Sequence, residues 1–184
     1  MANISPGPLL VLIGFMGAGK STICRLLAAR LGCAPVDLDQ EISRVHGPIP
    51  DLFANLGESG FRAIEHYQLD AILPTLPRPA VLALGGGAFL QPANRELLAV
   101  HNATVIFLDA PFDVIDARVH GSGIQRPLAR DPEMLRKLYE QRRPTYMLAD
   151  YTFPSTASEP AALVDTLVRL ARKLGAASPA RGTL

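Results

Sequence analysis

Apolar residues gather in five short runs, at 9–13, 34–38, 80–84, 104–108 and 151–153, and between them the apolar positions recur every three to four residues. A continuous apolar run of this length fits a strand buried on both faces, whereas the longer period is that of an amphipathic helix. Helices are expected over 20–31, 57–73, 92–100, 111–119, 132–141 and 159–174. Several open with proline, which the first helical turn tolerates because its missing N–H has no partner there. Strands alternating with helices predict an α/β, three-layer fold with a parallel sheet. Two stretches break the rhythm. From 40 to 55, Gly47, Pro48 and Pro50 divide the chain into short helical pieces, which points to a small subdomain over the sheet edge, spanning about 40–70. Between 120 and 131 the chain is polar, carries Gly121 and Gly123, and reads as a mobile lid. The Ala, Ser, Pro and Gly-rich tail, 176–184, is expected to fray.

The turn after the first apolar run carries the chemistry. Gly14-Phe15-Met16-Gly17-Ala18-Gly19-Lys20-Ser21-Thr22 satisfies G-x-x-x-x-G-K-[ST], with a strand expected before it and a helix after it. Only in that setting do backbone N–H groups and a helix N-terminus converge on phosphate oxygens. Gly17, Ala18, Gly19, Lys20, Ser21 and Thr22 are therefore expected to bind a nucleoside triphosphate, with Lys20 on the β- and γ-phosphates and the Ser21 hydroxyl on Mg²⁺. A phosphate-loop sheet concentrates function at the carboxyl ends of its strands. There lie Asp37 and Asp39, which an extended strand would send to one side, and Gly85-Gly86-Gly87, whose bare backbone would let a ligand approach. Arg62 precedes Glu65 by one helical turn, Arg126 lies in the lid, and Arg142 follows the next helix. Alternative readings stand beside these: a surface turn for Asp37/Asp39, an ordinary turn for the glycines, and an exposed helix pair for Arg62 and Glu65.

Composition narrows the partners. The 184 residues suit one domain, over 1–175. Eighteen Lys+Arg against seventeen Asp+Glu give no global field for nucleic acid or an acidic membrane. Cys24 and Cys33 have neither metal-ligand spacing nor a disulfide pattern and read as buried reduced thiols; the four histidines are scattered. No apolar run is long enough to span a membrane and no secretory signal is visible, so a soluble, cytoplasmic monomer is expected.

Taken in order, these motifs resemble the shikimate kinase family over residues 9–151 or so. The likeness rests on the phosphate loop, on Asp37, Asp39 and Ile42, and on Gly57-Glu58-Ser59-Gly60-Phe61-Arg62-Ala63-Ile64-Glu65. It continues through Gly85 to Gly87, Arg126-Pro127-Leu128, and Arg142-Arg143-Pro144-Thr145-Tyr146. Ala63 stands where many relatives carry a second arginine, and the family's additional basic residues around the lid are absent from 120–125. The resemblance implies a five-stranded parallel sheet in the order 2-3-1-4-5 and transfer of the ATP γ-phosphoryl group to the 3-hydroxyl of shikimate. It implies a catalytic set of Lys20, Asp39 and Arg126, and an acceptor site built from Asp39, Arg62, Gly85, Gly86, Gly87 and Arg142. Mg²⁺ would be held by Ser21 and Asp37, and Arg118 would stack on adenine opposite Pro154-Ser155. Two further readings remain at this point: another small-acceptor kinase, such as a gluconate or nucleoside monophosphate kinase, and a nucleotide-binding regulator without phosphoryl transfer.

Overall fold

The computed structural model describes residues 7–121, 131–156 and 160–177. Its strands are β1 (Leu9–Ile13), β2 (Pro35–Asp37), β3 (Ala80–Ala83), β4 (Ala103–Asp109) and β5 (Tyr151–Pro154). Its α-helices are α1 (Lys20–Leu31), α2 (Leu38–His46), α3 (Ile49–Ile72), α4 (Pro92–Val100), α5 (Phe112–Gly121), α6 (Pro132–Tyr146) and α7 (Pro160–Ala177). The strands form one parallel sheet in the order β2-β3-β1-β4-β5, as expected.

Position in the sheet explains which apolar runs are buried. β1 lies between β3 and β4, and all five of its side chains are buried. β2 and β5 have one neighbour each and are half-exposed or exposed, so the expectation of five buried strands holds only for the inner three. An edge strand needs apolar residues only where a helix covers it. Leu12 sits at the centre, fully buried, in register with Ala83 and Ile106. Leu12→Ala should destabilise the protein by ~2–5 kcal/mol through lost burial and a residual cavity. Urea unfolding would show this as a lower midpoint at unchanged m-value.

Helix boundaries follow local chemistry. Gly32 ends α1 in the left-handed region (φ 70°) and returns its N–H to the Ala28 and Ala29 carbonyls. The break expected at Gly47-Pro48 separates α2 from α3, but Pro50 sits in the first turn of α3, where proline is harmless. α3 runs from Ile49, but Gly57 (φ 67°, ψ −176°) is non-helical and divides it into two helical pieces, so the break expected before the helix at Gly57 is present. α6 continues past Gln141 to Tyr146 with Pro144 inside it, and α7 reaches Ala177. The lid residues 122–130 and the tail from 178 lie outside the described residues. Among the described residues no helix is long and apolar enough to cross a membrane. Cys24 is buried and Cys33 only half-buried; both thiols are free, and burial pushes Cys24 up to about 12.

Candidate functional site

The loop between β1 and α1 is shaped by its glycines. Gly14 passes so near β4 that a Cβ there would stand 2.7 Å from the Leu108 carbonyl oxygen. Gly19 caps α1 at φ 90°, a conformation that L side chains rarely adopt. The α1 N-terminus then faces a cleft of about 450 Å³ lined by Gly17, Gly19, Lys20, Ser21 and Thr22 on one side. Arg118, Pro154 and Ser155 line another side, and Asp37, Asp39 and Gly86 a third. Lys20 Nζ donates to the Gly14 and Phe15 carbonyls, both at 3.0 Å. Ala18 does not face the cleft: it is fully buried, its N–H donates to Phe15, and its carbonyl accepts from Ser155. Arg118 Nη1 donates to the Gly17 carbonyl at 2.8 Å. Arg126 lies outside the described residues.

The two aspartates meet in the cleft for a different reason than strand alternation. Asp37 ends β2 and is the N-cap of α2, its Oδ1 accepting from the Asp39 and Gln40 N–H groups. Asp39 thus stands in the first turn of a helix. The signal was present: Asp37-Leu38-Asp39-Gln40 matches a capping pattern, with an acceptor at the cap and Gln three residues on. Asp37 Oδ2 accepts from the Ser21 hydroxyl at 2.6 Å. A hydroxyl beside a carboxylate at a phosphate loop suits a hard cation that keeps most of its waters. Among the described residues no group of three or more His, Cys, Asp or Glu could hold a metal, so protein ligands alone would not complete its shell.

The glycine run serves the side chains around it. None of Gly85, Gly86 and Gly87 has a positive φ. A Cβ at Gly85 would lie 2.5 Å from Asp39 Oδ1, and one at Gly87 would overlap the Arg62 guanidinium. A side chain at 85 or 87 would therefore collide with Asp39 or Arg62, while Gly86 lies on the cleft.

Arg62 is not part of an exposed pair. Its Nη1 donates to Glu65 Oε2 at 2.8 Å, and Glu65 is 1% exposed; Gln91 Nε2 donates to the same oxygen at 2.9 Å. Burial raises the Glu65 pKa, and the Arg62 charge and hydrogen bond oppose that rise. A buried carboxylate held in this way fixes the guanidinium, whose Nη2 lies 3.3 Å from the exposed Glu58. Arg142, expected beyond the helix, lies within α6 and is only 8% exposed, with Nη1 3.5 Å from the Gly86 carbonyl. One helical turn later the buried Tyr146 hydroxyl donates to that carbonyl, and burial pushes its pKa up to about 12. Arg143 instead forks onto Asp109 at 3.1 and 2.6 Å, which ties α6 to the end of β4. Beside Arg142 opens a largely apolar chamber of about 670 Å³, lined by Ile49, Phe53, Glu58, Leu90 and Leu138 among others. Glu65, Gln91 and Tyr146 were absent from the sequence-derived site; the E of F-R-x-x-E and the Y of R-x-P-x-Y were the available signals.

Over most of its length the chain is similar to known proteins. The family model for shikimate kinase matches residues 16–172. A shikimate kinase from Paramagnetospirillum magneticum is 41% identical over 162 residues, covering 86% of this chain and 81% of that one. One from Persephonella marina is 34% identical over 160 residues, covering 86% and 96%. Among solved structures, shikimate kinase from Acinetobacter baumannii in complex with shikimate superposes with a TM-score of 0.83 at 34% identity, over 92% of this chain and 96% of that one. The phosphate loop, the acidic pair and the two anchored arginines thus occur in a chain that belongs to the shikimate kinase family.

Proposed function

We propose that this protein transfers the γ-phosphoryl group of ATP to the 3-hydroxyl of shikimate, releasing ADP and shikimate 3-phosphate in aromatic amino acid biosynthesis. The observation that carries the reading is the pair of restrained guanidiniums, Arg62 on Glu65 and Arg142 beside Gly86, standing with Asp39 next to a phosphate loop. The acceptor's carboxylate meets Arg62 and Arg142, whose planar donors match two oxygens at once. Its hydroxyls meet Asp39, which accepts the proton of the attacking oxygen or orients it. Lys20 turns from the loop carbonyls to the β- and γ-phosphates, and the backbone N–H groups of Gly17, Gly19, Ser21 and Thr22 receive the remaining negative charge. Ser21 and Asp37 would hold Mg²⁺, which when bound neutralises charge on the phosphate oxygens. Arg118 borders the nucleoside end of the cleft together with Pro154. The resemblance to the family assigns Arg126, which lies outside the described residues, to the transferring phosphoryl group. Residues 40–70 form the acceptor-binding subdomain, and the enzyme works as a cytoplasmic monomer.

A nucleotide acceptor would place a planar base and a second phosphate where Asp39 and the half-buried, carboxylate-anchored Arg62 stand, so the site favours a compact hydroxy acid. ADP release measured with ATP, with and without shikimate, tests the reading; release that does not depend on shikimate overturns it. The carboxylate clamp has its own test. Arg62→Lys and Arg142→Lys should each lower kcat/KM for shikimate at least about tenfold, or ~1.4 kcal/mol, because an ammonium cannot make the two-point contact. Arg172→Lys, on the exposed side of α7, should change it by less than about twofold. Arg95 cannot serve as that control, since its Nη1 donates to the Phe89 and Leu90 carbonyls. Turnover of methyl shikimate as good as that of the free acid would mean that the carboxylate is not what these arginines hold.

A further inference from the structure

Of the groups that grip the phosphate loop from behind, one belongs to an element with no other part in the loop. Ser155, just past β5, is 4% exposed, and its hydroxyl donates to the Ala18 carbonyl at 2.7 Å. The mount is rigid. Ser155 donates its own N–H to the Asp109 carbonyl at 2.9 Å, and the Asp109 carboxylate is locked by the two-point contact from Arg143. What this bond controls is the peptide between Ala18 and Gly19. That peptide is trans, since among the described residues only Arg78-Pro79 is cis. In a trans peptide the carbonyl and the following N–H point in opposite directions. Anchoring the Ala18 oxygen toward the protein therefore aims the Gly19 N–H at the cleft, which Gly19 lines and Ala18 does not. The anchor matters because Gly19 has no Cβ and sits at φ 90°, so its own sterics impose little resistance to rotation of the preceding peptide plane.

We propose that Ser155 is a positioning residue of the phosphoryl-donor site, holding the Ala18-Gly19 peptide so that the Gly19 N–H donates to the nucleotide's β-phosphate. The proposal rests on the reading that this loop binds the phosphates of ATP. It differs from a role in nucleoside recognition, which a residue at the cleft wall beside Pro154 could also have. The two make opposite demands on the ligand: a peptide aimed at the β-phosphate matters for ADP and ATP but not for AMP, whereas a contact with adenine or ribose matters for all three.

The test is titration of ADP and of AMP into the wild type and into Ser155→Ala, with steady-state kinetics of both proteins. In the variant the ADP dissociation constant should rise about tenfold, the size expected when a buried acceptor loses its donor and a phosphate contact is misdirected. The AMP constant should stay within about twofold, KM for ATP should rise, and KM for shikimate should hold. Equal weakening of ADP and AMP would assign Ser155 to the nucleoside, and no change in either would leave the bond a purely structural one; both outcomes overturn the proposal. A wild type that binds AMP as tightly as ADP would instead sink the reading of the loop itself. Should the alanine protein unfold, Ser155→Cys keeps the volume with a weaker donor, and the same pair of titrations decides.

Discussion

A Lys20→Met protein should fold normally and turn over at least about 1,000-fold more slowly than the wild type. Methionine fits the first turn of α1 and keeps most of the side-chain volume. The structural loss includes two hydrogen bonds, from Nζ to the Gly14 and Phe15 carbonyls, in a part-buried setting. Hydrogen bonds from a charged donor contribute ~1.5–3 kcal/mol each, the lower end where the group is part-exposed, so a thermal melt should fall by roughly 5–12 °C and stay cooperative. The catalytic loss is larger because charge developing between the β- and γ-phosphates is stabilised by fixed cations, and these supply most of the acceleration in phosphoryl transfer. ADP release by protein whose melt is cooperative is the measurement. A rate within tenfold of the wild type would remove the loop from the reaction.

Asp39→Asn should lower kcat by ~10²–10⁴ while leaving ATP affinity nearly unchanged. The amide matches the carboxylate in size and still fits beside Gly85, where nothing larger than hydrogen can stand. It cannot take a proton, and half of its polar surface donates where the acceptor's hydroxyl needs a lone pair. The Asp37 cap uses the backbone N–H of residue 39, not its side chain, so α2 should persist in the variant. Calorimetric titration of ATP alongside the rate separates the two ligands. Lost ATP affinity with a normal rate at saturation would place Asp39 at the nucleotide rather than at the acceptor.

Much of this architecture is legible in the sequence where a pattern coincides with a single physical demand. The β1–loop–α1 unit is such a case: a strand buried on both faces must be continuously apolar, and the glycines and Lys20 follow at fixed offsets. Legibility fails where two demands compete. Leu38 reads as the last residue of an apolar run, yet Asp37 captures the next N–H groups and turns the chain into α2, where Leu38 and Ile42 form the buried face. Proline at 144 argues for a helix end near 141, but Arg143 on Asp109 and Tyr146 on Gly86 hold α6 together through it. A run of three glycines announces close approach without saying of what, and at 85 and 87 the answer is a neighbouring side chain. The burial of Glu65 could not be read from its spacing to Arg62, because exposed and buried pairs share that spacing; only the covering helices distinguish them.

The order of the sheet has a consequence during synthesis. β1 is the first of these five strands to leave the ribosome and the one that waits longest for its second partner, because Leu9 is in register with Ala80 on one side and Ala103 on the other. At translation rates of about 5–20 residues per second, the Leu9–Ile13 segment waits roughly 5–20 seconds for its second partner. Until β3 is made it is five apolar residues with both hydrogen-bonding edges open, and until β4 is made one edge still is, the kind of segment that pairs with other nascent chains. The amphipathic α1 that follows can form locally within microseconds and cover one face, but it covers no edge. The strand best protected in the finished enzyme is thus the one most exposed to aggregation while the chain is being made.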